Sequence, residues 1–510
     1  MKNIVTLMNF VRGVEPRLSM DLYGTTVKQM ELTDKFKLKT TYLLQYDAFI
    51  QECYAKLFNQ KRDYVEVGLW LEIVQPLCEK VGVAWRGREG FAWDYHSHVS
   101  MVVGYTETEK AKLIDEAFSE FRKTFGFYPK TVASWVLDSF SVNYMNEKYG
   151  IDAAFICREQ WGTDGYSLFG GYYNQAYYPC KENILCPAQT EANEIKVPIF
   201  RLLGCDPIYQ YASKIESGNE IFTLEPITWG DLKAGGSDKN WVDWYFENTF
   251  DETRGGAFNY AQVGQENSFG WDRMKDGLIY QTQRIKELKD SDKVTDMFVS
   301  EAGRWFKHNF DFSPVCTQTA LNDWSNKNKK SIWYNCKNYR ANLLFDENGV
   351  FVRDCHLFDE RYPSRYNKEV CVSPHSIFDN LPVINGLNWS DENVRAGLRL
   401  LTADGKPYSP ENVSYHENGS TAMVGFSAKG LRYTVVFDEN GVEISADKDF
   451  TLSFRYASLG DDEKIRKEDE KTVAYEKRGF AYAIKLNSGV INNSNIVSEN
   501  GKVIIGFERR

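Results

Sequence analysis

The sequence predicts an α/β protein: a (β/α)7-type barrel followed by an all-β, sandwich-like C-terminal domain. Three observations support this prediction. Short apolar runs alternate with helical patterns over about the first 300 residues, a carboxylate follows nearly every run, and after Pro314 short strand patterns recur between turn signals. We therefore expect a barrel domain at residues 1–312 and a β-rich accessory domain at residues 313–510.

Eight apolar or β-branched runs are the candidate barrel strands. They occupy residues 4–11, 38–46, 64–72, 131–137, 151–157, 197–203, 256–263 and 294–300. Because parallel strands need long crossover connections, strands that alternate with helices indicate β/α units. Seven or eight such units favour a closed barrel, and an open parallel sheet is the alternative.

Helical segments lie between these runs, and the clearest covers residues 106–125. Thr106 and Glu109 have the spacing of a capping box, apolar residues recur at helical spacing, and Gly126 ends the segment. Two more helices are predicted, at residues 141–149 and 271–288.

The C-terminal region carries sequence signals of β-hairpins. The motif Asp-Glu-Asn-Gly stands at residues 346–349 and again at 438–441, each time between strand-like runs. Such turns join antiparallel strands. A carbohydrate-binding role and a purely structural role for this region are both open.

Composition narrows the possible partners and setting. The net charge of -10 and the pI near 5.4 argue against nucleic acid or an anionic membrane surface as a partner. No apolar run is long enough to span a bilayer, and no signal peptide can be drawn at the start of the chain. The ten cysteines form no CxxC pair, so we expect reduced thiols in a cytoplasmic protein. A secreted protein that has lost its signal peptide is the alternative.

Carboxylates follow nearly all the predicted strands, at the end of the barrel where catalytic groups lie. They are Glu15, Asp47, Glu72, Asp138, Glu159, Asp206 and Glu266. We expect them to converge on a concave acidic cleft. Arg12, just before Glu15, forms either a structural salt bridge or a substrate clamp. The loops after several strands are rich in Trp and Tyr, which stack on sugars, and paired carboxylates supply the acid, base or nucleophile that glycoside hydrolysis needs.

The segment Trp93–His98 forms a second candidate site. In an extended backbone, alternating side chains point to the same side, so Asp94, His96 and His98 would project together. Three such groups can bind a metal, move a proton or hold a sugar hydroxyl. The alternative is a loop whose histidines hydrogen-bond to their neighbours.

Several of these stretches resemble known families. The run YVEVGLWLE and the residues from WDYHSHVS to MNEKYGI resemble the third and fourth units of the polysaccharide deacetylases. The phrases MNFVRGVEPR, TYLLQYDA, HSH and ENSFGW resemble an uncharacterised bacterial family whose name joins glycoside hydrolase and deacetylase. The resemblance covers about residues 1–310. It implies a (β/α)7 barrel of the glycoside hydrolase/deacetylase kind that acts on carbohydrate.

This sequence departs from the deacetylase pattern at the residues that would bind the metal. Deacetylases of this kind hold a divalent metal with an Asp after the first strand and two His in an HxxxH motif. Here the first strand ends in NFVRG, Trp70 stands near the expected first His, and HxH replaces HxxxH. The cofactor is therefore open: a divalent metal, Zn, is expected only if the chain is deacetylase-like. Resemblance to the glycosidases of the same superfamily implies that Asp138 is the nucleophile and that Glu266 is the acid.

Together these observations predict a carbohydrate-active hydrolase, a glycoside hydrolase that uses strand-end carboxylates. A metal-dependent deacetylase and a non-catalytic carbohydrate-binding protein are the alternatives. The predicted catalytic residues are Asp138, Glu266 and Glu72. The predicted substrate-binding residues are Arg12, Glu15, Asp47, Asp94, His96, His98 and Asp206. The sugar, the linkage and the oligomeric state are open.

Overall fold

A parallel sheet forms the centre of the N-terminal region. The structure, a computed structural model, describes residues 2–163, 166–211, 223–228, 235–401 and 408–510. The strands of the sheet are β1 (Lys2–Val11), β2 (Thr40–Leu44), β3 (Val65–Trp70), β4 (Thr131–Ala133), β5 (Ala153–Ile156), β8 (Ile199–Arg201), β9 (Phe258–Val263) and β10 (Thr295–Asp296). Between β5 and β8 the chain forms a separate hairpin of β6 (Gln160–Thr163) and β7 (Tyr166–Leu168).

Helices connect the strands of the sheet. In the described part of the chain they are α1 (Leu22–Phe36), α2 (Tyr46–Phe49), α3 (Glu52–Phe58), α4 (Gln75–Val81), α5 (Ser97–Ser100), α6 (Glu107–Phe125), α7 (Ser139–Tyr149), α8 (Lys239–Thr249), α9 (Trp271–Asp290) and α10 (Val299–Asn309). The predicted start of α6 is confirmed, because Thr106 and Glu109 cap each other's backbone N–H groups at 3.3 and 2.8 Å. Gly126 ends this helix at φ 85°, a conformation that glycine adopts without strain.

The parallel sheet closes almost completely into a barrel. Its strands follow the order β9–β1–β2–β3–β4–β5–β8. Ile4 pairs with Tyr260 of β9 and with Thr295 of β10, so β10 lies on the β2 side of β1. Across the remaining gap between β8 and β9, no strand pairing occurs among the described residues. There the Leu203 N–H donates to Gln262 Oε1 at 2.8 Å. The predicted barrel is confirmed.

All eight predicted runs contain a strand, and the last run differs most from its prediction. Residues 294–300 form only the two-residue β10, because the chain turns into α10 at Val299. The Phe298 N–H donates to Glu301 Oε2 at 3.1 Å, which caps that helix. The other runs are buried strands whose last residues continue past the sheet into loops. β2, for example, is buried along its whole length, as expected where helices cover one face and the barrel interior the other.

Two antiparallel sheets form the C-terminal region. The first contains β11 (Cys316–Ala320), β12 (Lys330–Asn335), β13 (Tyr339–Asp346), β14 (Gly349–Leu357), β15 (Leu381–Asn385), β16 (Gly397–Leu401), β21 (Thr451–Arg455), β25 (Val490–Asn492) and β26 (Asn495–Val497). The second contains β17 (Glu411–Asn418), β18 (Thr421–Ala428), β19 (Leu431–Asp438), β20 (Gly441–Ala446), β22 (Glu463–Lys467), β23 (Thr472–Lys477), β24 (Phe480–Ser488) and β27 (Lys502–Arg509).

These two sheets pack face to face as a sandwich. Tyr334 of the first sheet stacks on Phe437 of the second, with ring centroids 5.7 Å apart. Phe345 and Phe426 make an edge-to-face contact at 5.4 Å. Both predicted hairpins are confirmed, because the Asp-Glu-Asn-Gly turns connect β13 to β14 and β19 to β20. No helix among the described residues is long and apolar enough to cross a membrane.

A buried ionic cluster joins the barrel to the sandwich. Arg340 of β13 pairs with Glu159, which follows β5, and with Asp354 of β14 at 3.1 Å. The Tyr211 hydroxyl contacts both carboxylates, at 3.0 Å to Glu159 and 2.6 Å to Asp354. Glu159 is thus a strand-end carboxylate that serves this contact. The predicted boundary after residue 312 falls between α10 and β11 and stays a prediction, since the two regions share buried contacts.

Removing the cation of this cluster should destabilise the protein strongly. In Arg340→Met, two buried carboxylates lose their counter-ion, so we expect a loss of roughly 3–5 kcal/mol in the free energy of unfolding. The matched control is Arg432→Met, whose side chain is 84% exposed and pairs with Asp447 at the surface, and it should cost less than about 1 kcal/mol. Urea unfolding measures both. Equal, small losses in the two variants would contradict a buried ionic link.

Candidate active site

A cavity of about 620 Å³ opens at the carboxyl ends of the barrel strands. This volume suits a small-molecule or sugar ligand. Charged and aromatic side chains share its wall. The lining residues are Arg12, Arg17, Leu18, Glu72, Trp93, Tyr95, Met101, Trp135, Arg158, Gln160, Leu203, Glu225, Glu266, Ser268, Phe269 and Arg273.

The strands of the barrel deliver the central groups of this cavity. Arg12 directly follows β1, Glu72 follows β3, and Glu266 follows β9. Because β1 lies between β9 and β2 in the sheet, its last residue stands close to the ends of strands on both sides. Trp93 comes from the long connection between β3 and β4. Three of the sequence-predicted residues, Arg12, Glu72 and Glu266, therefore line one cavity.

Arg12 holds the two glutamates together. Its Nη2 lies 3.3 Å from Glu72 Oε1 and 3.0 Å from Glu266 Oε2. Both carboxylates are almost completely buried, and Arg12 is 2% exposed. The Ser268 hydroxyl donates to the other oxygen of Glu266, Oε1, at 2.6 Å. The result is a buried carboxylate pair with one guanidinium shared between them.

A second layer fixes the Arg12 guanidinium in place. The Trp93 ring lies 3.8 Å from the guanidinium carbon, a cation–π contact. Glu15 Oε2 lies 3.8 Å from Arg12 Nη1, and Arg17 binds both oxygens of Glu15 at 2.8 and 2.7 Å. These hydrogen bonds hold the pKa of Glu15 below its usual value although burial opposes them. Glu15 therefore stands behind the cavity wall as an ionised partner of two arginines.

The surroundings of Glu72 favour a carboxyl group that carries a proton near neutral pH. Burial, reinforced by the negative charge of Glu266, raises the pKa of Glu72 to about 7, and Arg12 opposes this rise. Gln45 Nε2 and Trp93 Nε1 donate to Glu72 Oε2 at 2.8 and 3.0 Å. Arg12 Nη2 donates to the other oxygen, Oε1, at 3.3 Å, so both oxygens of Glu72 accept hydrogen bonds.

Two other predicted substrate-binding carboxylates do not line this cavity. Asp47 accepts the Gly13 N–H at 3.1 Å, and burial raises its pKa to about 7. Asp206 accepts the indole N–H groups of Trp241 and Trp324 at 2.8 and 2.9 Å, and burial raises its pKa to about 6. Both aspartates therefore lie outside the cavity lining, where they accept hydrogen bonds from backbone and tryptophan N–H groups.

Asp138, the predicted nucleophile, also lies outside the cavity lining. It caps α7 by accepting the Ser141 N–H at 2.8 Å, and its other oxygen pairs with Lys110 of α6 at 2.5 Å. Lys110 is itself buried. This pair ties α6 to the start of α7, while the neighbouring Trp135, also after β4, does reach the cavity.

Asp94, His96 and His98 are close in space but do not converge on one point. Asp94 binds Arg88 through both oxygens, at 2.8 and 3.0 Å, and contacts His96 Nδ1 at 3.1 Å. The His98 ring centroid lies 5.8 Å from that of His96. Throughout the part of the chain that the structure describes, no three His, Cys, Asp or Glu side chains are arranged to hold a metal ion. These residues therefore do not fit the metal site of a deacetylase.

Several lining residues carried no signal in the sequence-based prediction. Arg158 lies two residues after the end of β5, and a search for basic as well as acidic strand-end residues would have found it. Glu225 lies in the connection between β8 and α8, and Arg273 lies in the first turn of α9; neither position gives a local sequence indication of where its side chain points. Trp93 and Tyr95 belong to the segment Trp93–His98, and they, unlike its histidines, line the cavity.

Comparison with known proteins agrees with this architecture. Residues 90–313 match a family described as a domain of unknown function with a solved structure, DUF3863. The chain is similar to a protein from Parabacteroides distasonis provisionally described as a glycoside hydrolase/deacetylase, with 14% identity over 75% of this chain and 89% of that chain and a TM-score of 0.50. The two share one fold. The predicted resemblance is therefore confirmed at the level of the fold.

No curated protein sequence matches the chain. A second solved structure is similar to part of the chain. It is a protein from Pseudomonas aeruginosa PAO1, provisionally described as a polysaccharide deacetylase, with 11% identity, a TM-score of 0.38 and coverage of 61% of this chain and 92% of that chain.

The raised pKa of Glu72 predicts a pH-dependent contribution to stability. Between about pH 4.5 and 7 the folded protein keeps a proton that the unfolded chain has released, so this group lowers stability as the pH rises through that window. The Glu72→Gln variant lacks this pH-dependent contribution to stability. Relative to wild type, the free energy of unfolding of the variant should therefore rise across the window, by at most about 1.4 kcal/mol per pH unit.

Urea unfolding at several pH values measures this difference. The matched control is Glu252→Gln, at an exposed turn position, whose curve should run parallel to that of wild type. Parallel curves for Glu72→Gln as well would show that Glu72 is not protonated in the folded state.

Proposed function

We propose that this chain is a glycoside hydrolase in which Glu72 is the general acid and Glu266 the nucleophile. The observation that carries the proposal is the buried Glu72–Arg12–Glu266 cluster in the wall of the cavity at the carboxyl ends of the strands. Two carboxylates that flank a sugar-sized space are the chemical requirement of glycosidic cleavage. The shared fold with the Parabacteroides distasonis protein, itself provisionally described as a glycoside hydrolase/deacetylase, supports the substrate class.

The spacing of the two glutamates favours retention of anomeric configuration. Glu72 Oε1 and Glu266 Oε2 contact the same nitrogen, Arg12 Nη2, at 3.3 and 3.0 Å. The distance between the two carboxylate oxygens therefore cannot exceed the sum of these two contact distances. That limit is below the roughly 6.5–9.5 Å between carboxyl groups in inverting enzymes and is compatible with the roughly 5–5.5 Å of retaining ones.

The roles follow from the protonation of the pair. Glu72, whose pKa burial raises to about 7, gives its proton to the glycosidic oxygen as the bond to the anomeric carbon breaks. Glu266 attacks that carbon and forms a glycosyl ester. Water then attacks the ester, Glu72 accepts a proton from that water, and Glu266 is released as a carboxylate. Arg12 stabilises the negative charge of Glu266 before the attack.

Removing either glutamate should abolish turnover. We expect Glu72→Gln to lower kcat by about 10²–10⁴ and Glu266→Gln by at least as much, on an alkyl glycoside that the wild type cleaves. The matched control is Glu66→Gln, at the opposite end of β3, where the carboxylate accepts from Thr41 Oγ1 at 3.0 Å. Folding of each variant is checked by circular dichroism.

The Asp138→Asn variant tests the assignment of Asp138 as the nucleophile, which strand position alone suggested. If this variant loses turnover while Glu72→Gln and Glu266→Gln keep it, the present assignment is wrong. Acetate release from acetylated oligosaccharides, abolished by a chelator, would favour the deacetylase instead. Sugar binding without any turnover would favour the binding protein.

The acid role of Glu72 predicts a specific pH and leaving-group signature. In wild type, kcat/KM should fall above an apparent pKa near 7, because only protonated Glu72 can donate. In the Glu72→Gln variant, this fall in kcat/KM at high pH should be absent. The variant should also lose much less activity on a dinitrophenyl glycoside than on an alkyl glycoside, since the acidic phenol leaves without protonation. A uniform loss on both substrates would contradict the acid role.

A further inference from the structure

Two free cysteines, Cys180 and Cys186, lie opposite each other in the connection between β7 and β8. Next to them, Pro179 and Pro187 form an antiparallel bridge, and the Cys180 N–H donates to the Cys186 carbonyl at 2.8 Å. In this register the two cysteines are direct partners, one residue inside the proline pair. Side chains of direct partners project from the same face of the ladder. The backbone therefore brings both thiols to one place.

The separation that this register imposes suits a disulfide bond. Partners joined by backbone hydrogen bonds have Cα atoms about 5.5 Å apart, and disulfides bridge Cα atoms about 4.4–6.8 Å apart. Both cysteines are buried. Burial and the contact with the Cys180 thiol raise the pKa of the Cys186 thiol well above its usual value. Because the thiolate is disfavoured, the pair is suited to a stable structural disulfide and not to redox catalysis.

Non-covalent contacts already hold the turn between the two cysteines. The Leu185 N–H donates to Asn183 Oδ1 at 3.0 Å, and the Cys186 N–H donates to the Asn183 carbonyl at 3.0 Å. The two prolines suit their positions, because residues of a non-hydrogen-bonded pair need no N–H for the ladder. The thiols are therefore in register before any bond forms between them.

The turn lies between the barrel and the C-terminal region. The Ser139 hydroxyl, at the start of α7, donates to the Cys180 carbonyl at 2.8 Å. Inside the turn, Asn183 Nδ2 donates to the carbonyl of Asp379 at 3.0 Å. A covalent bond across the turn would therefore stiffen a point of contact between the two regions.

We propose that Cys180 and Cys186 form a structural disulfide when the chain meets a disulfide oxidant such as oxidised glutathione. The Sγ–Sγ bond forms as the two thiols lose two protons and two electrons. Oxidised glutathione takes up both and becomes two molecules of reduced glutathione. Such a bond persists in an oxidising compartment, the alternative to the cytoplasmic setting expected from the sequence. The proposal does not depend on the hydrolase, because none of residues 179–187 lines the cavity.

Peptide mapping tests the proposal, because trypsin cuts between the two cysteines. Cleavage after Arg158, Lys181 and Lys196 gives fragments 159–181 and 182–196, each with a single cysteine. The full chain is incubated with about 1 mM each of reduced and oxidised glutathione, in urea below the unfolding midpoint so that buried thiols exchange through local opening. It is then quenched with acid, alkylated and digested without reductant. We expect the two fragments to be joined in more than about 90% of the protein.

The same measurement on unfolded protein separates the effect of the fold from closeness in sequence. Cysteines this near in the chain also join to some extent when it is unfolded. The equilibrium constant for joining should be at least about tenfold larger in native protein than in fully unfolded protein. By the same linkage, oxidised protein should have a Tm about 2–5 °C above that of reduced protein. The Cys180→Ala, Cys186→Ala double variant should show no such difference.

The matched control thiol is Cys53, which is exposed on α3. It should take up glutathione in the same buffer without becoming joined to another fragment. Recovery of fragments 159–181 and 182–196 unjoined, alkylated or each carrying glutathione, overturns the proposal. It is also overturned if the native protein joins them no more strongly than the unfolded protein does.

Discussion

The Arg12 guanidinium is the interaction on which the site depends. Two buried carboxylates, Glu72 and Glu266, would repel each other across a short distance in a medium of low dielectric constant. A shared cation at 3.3 and 3.0 Å removes that repulsion and still leaves one of the two groups easy to protonate. Without it, burial alone would favour the neutral form of such carboxylates, and the difference in protonation that the proposed acid and nucleophile need would be lost.

The fold secures Arg12 through its backbone as well as its side chain. Asn267 Oδ1 accepts the Arg12 N–H at 2.9 Å, and Asn267 Nδ2 donates to the Arg12 carbonyl, also at 2.9 Å. This double hydrogen bond joins the end of β1 to the turn after β9. Since Glu266 is the neighbour of Asn267, the same turn that holds Arg12 also presents Glu266 to it. The geometry of the Arg12–Glu266 pair is therefore set by the ends of β1 and β9, which are adjacent in the sheet.

The C-terminal sandwich stabilises the barrel around this site. Arg340 reaches Glu159 at the end of β5, and Glu159 directly follows the cavity residue Arg158. The Ser97 N–H donates to the carbonyl of Pro374 at 2.9 Å, which anchors the loop that carries Trp93 and Tyr95. The sandwich thus contacts two segments that form the cavity wall. A structural role of this kind does not require it to bind carbohydrate.

The sequence alone determined the barrel and the sandwich, and it supplied three candidate site residues, Arg12, Glu72 and Glu266, that line one cavity in the structure. Alternating apolar runs and helices predict parallel β/α units because periodicity reports local burial. The strand-end rule points to Glu72 and Glu266, and Arg12 is predicted as a salt-bridge or substrate-clamp residue beside Glu15. Only the tertiary structure decided which carboxylates work together. Asp138 has the same local sequence signal whether it caps a helix or attacks a substrate, and its partner Lys110 is brought to it by packing. Side-chain pairing and burial, which set charge and pKa, arise from residues distant in the chain and leave no local pattern.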